Sequence, residues 1–183
     1  MDYISESDIK TIVQKVMQTL PGSAPSFQSD VKPALAKKMV AVGSDHGGFE
    51  MKGMLLAYLS ELGYETSDCG TSSKESVDYP DFAYAVADKV SSGSAWRGIV
   101  IDGAGIGSCM AANKVPGVRA AMCYDYATAA NSREHNDANL LALGAGLLGE
   151  NQVKLIVKTW LETPFGGGRH SRRRAFPRDA SGH

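Results

Sequence analysis

The chain has 183 residues, 43% of them hydrophobic and 21% charged, with a formal net charge of −1. Such a chain is long enough to bury a core without staples, and its balance is that of a soluble globular domain with some chain to spare rather than of a general nucleic-acid binder. No apolar run approaches the ~18 residues of a membrane span. The first residues lack the basic-then-apolar pattern of a secretory signal, and Cys69, Cys109 and Cys123 show no C-x-x-C spacing. The expectation is a cytoplasmic protein with no membrane partner and no structural metal.

Residues 1–20 place Ile9, Ile12, Val13, Val16, Met17 and Leu20 on one stripe of a helix, with Lys10, Gln14, Lys15 and Gln18 opposite. Ser5 and Asp8 offer a cap, and Pro21-Gly22 a stop. Residues 21–38, rich in Pro, Ser and Gly at their start, read as a flexible linker. From Met39 the pattern becomes strand, helix, strand, helix, and the domain is drawn over 39–174, with a tail over 175–183. Met39–Gly43 is a first buried strand; Met51, Leu55, Leu59 and Leu62 mark the helix after it; Tyr64–Cys69 is a second strand. Pro80 opens a helix whose core face is Ala83, Val86, Ala87 and Val90. The third strand, around Ile99-Val100-Ile101, runs into Gly103, Gly105 and Gly107, and a helix follows. Arg119–Tyr124 is the fourth strand, Asp125 caps a helix through Glu134, Leu140–Gly144 is the fifth strand, and Val153, Ile156, Val157, Trp160 and Leu161 face inward from a last long helix.

Five strands alternating with helices predict an α/β fold, a three-layer α/β/α sandwich on a parallel, Rossmann-like sheet of order 2-1-3-4-5, preceded by the amphipathic helix on its linker. The switch point between strands one and three then sets Asp45-His46 beside Asp102–Gly107. A strand, a glycine turn and a helix start form an anion site, because glycine lets the backbone approach a ligand and a helix N-terminus presents unpaired N–H groups. His135 sits in a polar turn, and Arg169-His170-Ser171-Arg172-Arg173-Arg174 is either a solvated end or a phosphate clamp.

Five stretches stand in one order over residues 39–174: Ser44-Asp45-His46-Gly47-Gly48-Phe49-Glu50 with Lys52; Asp78-Tyr79-Pro80; the glycine turn with Ala111-Ala112-Asn113-Lys114; Arg133 with His135, Asn136 and Asn139; and Gly168-Arg169-His170 with Arg173. In these the chain resembles ribose-5-phosphate isomerase B and the galactose-6-phosphate isomerase subunits. The resemblance implies a metal-free, cofactor-free aldose–ketose isomerase of a phosphorylated sugar, homodimeric or a dimer of dimers, with sites at the subunit interface. It implies that His135 helps open the sugar ring, that Asp45 lies near the substrate hydroxyls, and that a base makes a cis-enediolate held by Gly103, Gly105, Gly107 and Ser108. His46, Asn136, Arg169, His170 and Arg173 are implied to hold phosphate or distal hydroxyls, some across the dimer. Many members carry a cysteine base where this chain has Asp102, or a glutamate where it has Ser108; an assisting hydroxyl residue is Ala104 here, and a phosphate-binding arginine is Gly146. The expected catalytic set is therefore Asp102, His135 and Asp45. An isomerase or epimerase of a different or unphosphorylated sugar, and a non-catalytic member kept for binding, are the alternatives. Residues 1–20 resemble the encapsulation peptides of bacterial microcompartments, which implies docking on a shell protein.

Overall fold

The computed structural model describes residues 38–174. The helix expected over 1–20, nearly all of the linker over 21–38 and the tail over 175–183 lie outside the described residues. Five parallel strands form one sheet: β1 (Met39–Ser44), β2 (Glu65–Asp68), β3 (Arg97–Asp102), β4 (Ala120–Met122) and β5 (Leu140–Gly144). Helices α1 (Phe49–Glu61), α2 (Tyr79–Ser91), α3 (Ile106–Ala112), α4 (Tyr126–Glu134) and α5 (Glu150–Glu162) join or follow the strands, and α6 (Arg169–Arg174) closes the described chain.

The period of two along the inner strands sorts their side chains onto two faces. Val40, Val42, Ile99, Ile101, Leu141 and Leu143 pack against Leu55 and Leu59 of α1 and Val153, Ile156, Val157 and Trp160 of α5. Ala41, Val100, Leu140 and Ala142 point the other way, toward Ala83, Val86 and Ala87 of α2 and Ala112 of α3. Small residues under α2 let it sit close: a Cβ added at Gly43 or at Gly98 would stand 2.6 Å from a Val86 methyl. The three-layer sandwich is as expected.

The strand order is β2-β1-β3-β5-β4, which corrects the expected 2-1-3-4-5. The reason is burial. All five residues of β5 are buried, whereas β4 is three residues long and half-buried. A short, partly wet strand belongs at an edge, and a wholly apolar one in the middle. Asn113 covers part of that edge, its Oδ1 accepting from Ala120 N at 2.9 Å and its Nδ2 donating to Ala120 O at 2.9 Å. β4 is also shorter than the expected Arg119–Tyr124.

Beneath the sheet, Arg97 is buried and donates through Nη1 to Trp160 O at 2.7 Å and Leu161 O at 3.0 Å. These are carbonyls at the end of α5, where a cation meets the negative end of the dipole. Burial, and then the neighbouring Arg133, lower the Arg97 guanidinium to about 9, so it remains a cation at neutral pH.

Candidate active site

The β1–β3 pairing brings two loops together at the carboxyl edge of the sheet, with Ser44 opposite Ile101 and Asp45 N donating to Ile101 O at 3.2 Å. Asp45 is buried and caps a short 3-10 turn over His46–Gly48, its Oδ1 accepting from Gly48 N at 3.0 Å. His46 Nδ1 accepts from Val77 N at 3.2 Å, so the Nε2 side of the neutral ring carries the proton. A Cβ on Gly47 would lie 3.6 Å from Gly103 N, so the two loops touch.

Asp102 is buried, 5% exposed, at the end of β3. Its Oδ1 accepts from Ala104 N at 2.9 Å and from Gly105 N, and its Oδ2 accepts from Ser108 N at 2.9 Å. The glycine turn thus folds around a carboxylate of its own chain. Gly105 is left-handed, φ +80, and is the N-cap of α3, and a Cβ there would lie 2.9 Å from Leu143 C. Across the crevice the Tyr79 ring covers Gly107, where a Cβ would stand 2.6 Å from Tyr79 Cζ. Among the described residues no hydrogen bond accepts the N–H of Gly103, Ile106 or Gly107. Three donors and two carboxylates therefore converge where the expected switch point lies.

A second set of expected residues gathers elsewhere. His135, the C-cap of α4, stacks on His170 of α6 with ring centroids 4.3 Å apart and planes 4° from parallel. Asn131 Nδ2 lies 2.8 Å from His135 Nδ1. These rings, Asn136, Arg173 and Arg119 line a cavity of about 550 Å³ beside β4. Burial first, and then His135, Arg169 and Arg173, hold the His170 imidazole below its ordinary value of 6.5.

The family model for ribose/galactose isomerase matches residues 40–175. The chain belongs to that family. Ribose-5-phosphate isomerase B of Escherichia coli is 45% identical over 136 residues, covering 74% of this chain and 91% of that protein. D-erythrulose-4-phosphate isomerase of Pectobacterium atrosepticum is 38% identical over 130 residues, 70% of this chain and 86% of that one. A solved structure of Clostridium thermocellum ribose-5-phosphate isomerase B superposes with a TM-score of 0.74 at 52% identity, covering 74% of this chain and 92% of its own. The family expected from the five motifs is the family found.

Within this family frame, the structure adjusts several expected contacts. Asp45, His46, Asp102, Gly103 and Gly107 come together. The N–H groups of Gly105 and Ser108 do not face a substrate, because Asp102 occupies both and Ser108 is itself buried. The tight turn forces this, since a carboxylate at the strand end is the nearest acceptor for the first amides of α3. His135, Asn136, His170 and Arg173 line a cavity whose walls include none of Asp45, His46, Asp102, Gly103 and Gly107. The arginine tail forms α6; Arg169, Ser171, Arg172 and Arg173 are exposed on it, and Arg169 donates to His170 Nε2 at 3.4 Å. Cys109 faces β4, donating to Ala120 O at 3.5 Å, and burial pushes its thiol pKa up. Tyr79, Asn131 and Arg119, the last in the wall of the cavity, were given no site role from sequence. Tyr79 covers the glycine turn, and its place in Asp-Tyr-Pro was the available signal; Asn131 holds His135 from one helical turn away, a spacing visible in the sequence. Lys52 serves the scaffold: buried, it donates to both Asp68 oxygens at 2.8 and 2.7 Å. Among the described residues no group of three or more His, Cys, Asp or Glu side chains could hold a metal ion, and no helix is long and apolar enough to cross a membrane.

Proposed function

We propose that the chain is an aldose–ketose isomerase of phosphorylated sugars, interconverting ribose 5-phosphate and ribulose 5-phosphate through a cis-enediolate. The observation that carries this reading is the crevice between β1 and β3, where the Asp102 carboxylate lies beside backbone N–H groups that lack an acceptor. The named relatives supply the substrate class. In the proposed reaction the open-chain aldose rests its carbonyl oxygen on the N–H groups of Gly103 and Gly107. Asp102 Oδ2 accepts one N–H and keeps a lone pair, with which it takes the C2 proton. The electron pair left on C2 forms the C1=C2 bond, and the carbonyl oxygen becomes the enediolate oxyanion. Return of the proton to C1, with the O2 hydroxyl proton passing to O1, yields the ketose. A fixed donor aimed at such an oxyanion contributes about 2.7–4 kcal/mol to the transition state. Asp45 receives a substrate hydroxyl on its second oxygen, and His46 donates from Nε2.

The proposal includes a second copy of the chain. Ile106 and Met110, 51% and 67% exposed and one turn apart on α3, leave an apolar strip at the rim of the crevice. A homodimer that covers this strip and turns the cationic cavity of one copy toward the crevice of the other completes each site. His135 and Asn136 then reach the sugar ring, and Arg169, His170 and Arg173 the phosphate. The second reading, an unphosphorylated sugar, is favoured by Gly146. It donates to Gly103 O at 2.9 Å and offers no cation where the resemblance implies an arginine. Residues 1–20, on their sequence stripe, are proposed to dock on a microcompartment shell; their deletion should abolish shell association and leave turnover intact.

Steady-state isomerisation of ribose 5-phosphate, erythrulose 4-phosphate and free ribose by the full-length chain tests the reading. Turnover of the phosphorylated sugars alone supports it. Turnover of free ribose at a similar kcat/KM transfers the case to the second reading.

A further inference from the structure

Asp137, with φ +50, is the one non-glycine residue of left-handed backbone among the described residues. It follows α4, and its N–H donates to Arg133 O at 3.0 Å, closing a left-handed helix cap of the kind that glycine or asparagine usually fills. The cap itself has no use for a carboxylate. The carboxylate is engaged nonetheless: Oδ1 accepts from Arg133 Nη1 at 2.9 Å and Oδ2 from Arg119 Nη2 at 3.0 Å, while the Asp137 carbonyl accepts from Arg119 Nε at 2.9 Å. Arg133 is buried and also donates to Ala138 O at 2.5 Å and Thr163 O at 3.3 Å. The Asp137 carboxylate therefore ties Arg133 of α4, which itself bonds the end of α5, to Arg119 at the start of β4. Immediately before it stand His135 and Asn136, both in the wall of the cationic cavity.

We infer that Asp137 is a positioning residue: clamped between Arg133 and Arg119, it fixes the turn that presents His135 and Asn136 and so keeps the His135 ring against His170. Its importance for turnover rests on the isomerase reading; its hold on the two rings does not. A left-handed aspartate is retained over the less strained glycine because a glycine closes the cap but leaves the two arginines without their shared anion. The turn would then be free to swing, and a displacement of about 1 Å in a catalytic group costs on the order of 100-fold in rate.

The test uses full-length Asp137→Gly and Asp137→Asn, each shown to be folded by its amide NMR spectrum. Two quantities are read: the ring-proton shifts and titration of His135 and His170 without substrate, and kcat and KM for ribose 5-phosphate. Asp137→Gly should lose the ring-current shifts of the stack, bring the His170 titration back up toward 6.5, and lower kcat about 10- to 100-fold. Asp137→Asn, which tolerates the left-handed backbone and keeps one carbonyl oxygen, should fall between it and the parent. Unchanged ring shifts and titration in a folded variant would overturn the assignment. If Asp137→Gly does not fold, the Asn variant decides by the same ring signals. A parent protein inert toward ribose 5-phosphate would defeat the functional reading, and the ring signals would still decide the role of Asp137.

Discussion

A carboxylate can cap a helix and still act as a base only if its donors leave a lone pair to spare. Asp102 meets this condition, with two N–H donors on Oδ1 and one on Oδ2. Asp102→Asn separates the cap from the proposed base. The amide oxygen can still accept from Ala104 and Gly105, but the amide nitrogen then faces the Ser108 N–H, donor against donor. A buried donor left unsatisfied costs about 1–3 kcal/mol, so the melting temperature should fall modestly. Turnover by the folded variant should fall at least ~100-fold if Asp102 is the general base. Thermal unfolding and steady-state kinetics on the same preparation check both; near-parental turnover would leave Asp102 only its capping role. Asp102 was legible as a site residue because a β-branched run ends on it and glycines follow. Its partners were not, since bonds to residues two, three and six places on depend on the path of the turn. The same holds for Asp137, whose left-handed backbone and two arginines leave no mark in a polar stretch.

The glycine turn and the last short helix carry most of the residues expected for the site. Gly105 has no room for a methyl group, because its backbone is left-handed and a Cβ would crowd the Leu143 carbonyl carbon at 2.9 Å. Gly105→Ala should therefore cost at least about 2 kcal/mol, from backbone strain and displacement of β5. Denaturant unfolding should show the loss, and an unchanged midpoint would mean that the turn adapts freely. Helix α6 should respond to pH. The His170 pKa is depressed in the folded chain, by burial first and then by His135, Arg169 and Arg173, with Glu134 opposing. Below its ordinary value of 6.5 the undocked helix binds the proton more readily than the docked one, so docking is fully present above that pH and weakens as pH falls below it. Hydrogen-exchange protection of residues 169–174 should be lower at acid pH than at neutral pH; equal protection would contradict this. Most elements were legible from periodicity and punctuation: Pro80 lies in the first turn of α2, and Asp125 caps α4 through a reciprocal bond with Thr128. The places of β4 and β5 were not, because chain order and spatial order differ. Only the comparison of an all-buried strand with a half-buried one decides between them, and side-chain type alone gives it weakly.

At the scale of the whole molecule, the residues expected for the site gather in two places among the described residues. The crevice holds the Asp102 carboxylate beside backbone N–H groups; the cavity beside β4 holds two imidazoles and arginines. Spacing and periodicity alone do not show this division, since the motifs simply stand in order along the chain; only the family resemblance implied residues acting across a dimer. If two copies share each site, Asp102→Asn and His135→Ala should each be nearly inactive alone. Mixed and re-associated, they should recover about a quarter of parental activity, because half of the dimers are mixed and each has one intact site of two. No recovery, with mixed dimers demonstrated by mass, would place each site within one copy. Beneath these predictions lies the claim that the crevice makes an enediolate. The measurement that reaches it most directly is proton NMR of ribose 5-phosphate and related pentose and hexose phosphates incubated with the full-length chain in D₂O. The account predicts deuterium entering C1 of the ketose and C2 of the aldose, lost in Asp102→Asn. Unexchanged carbon-bound protons at high protein concentration, for every sugar phosphate tried, would contradict it.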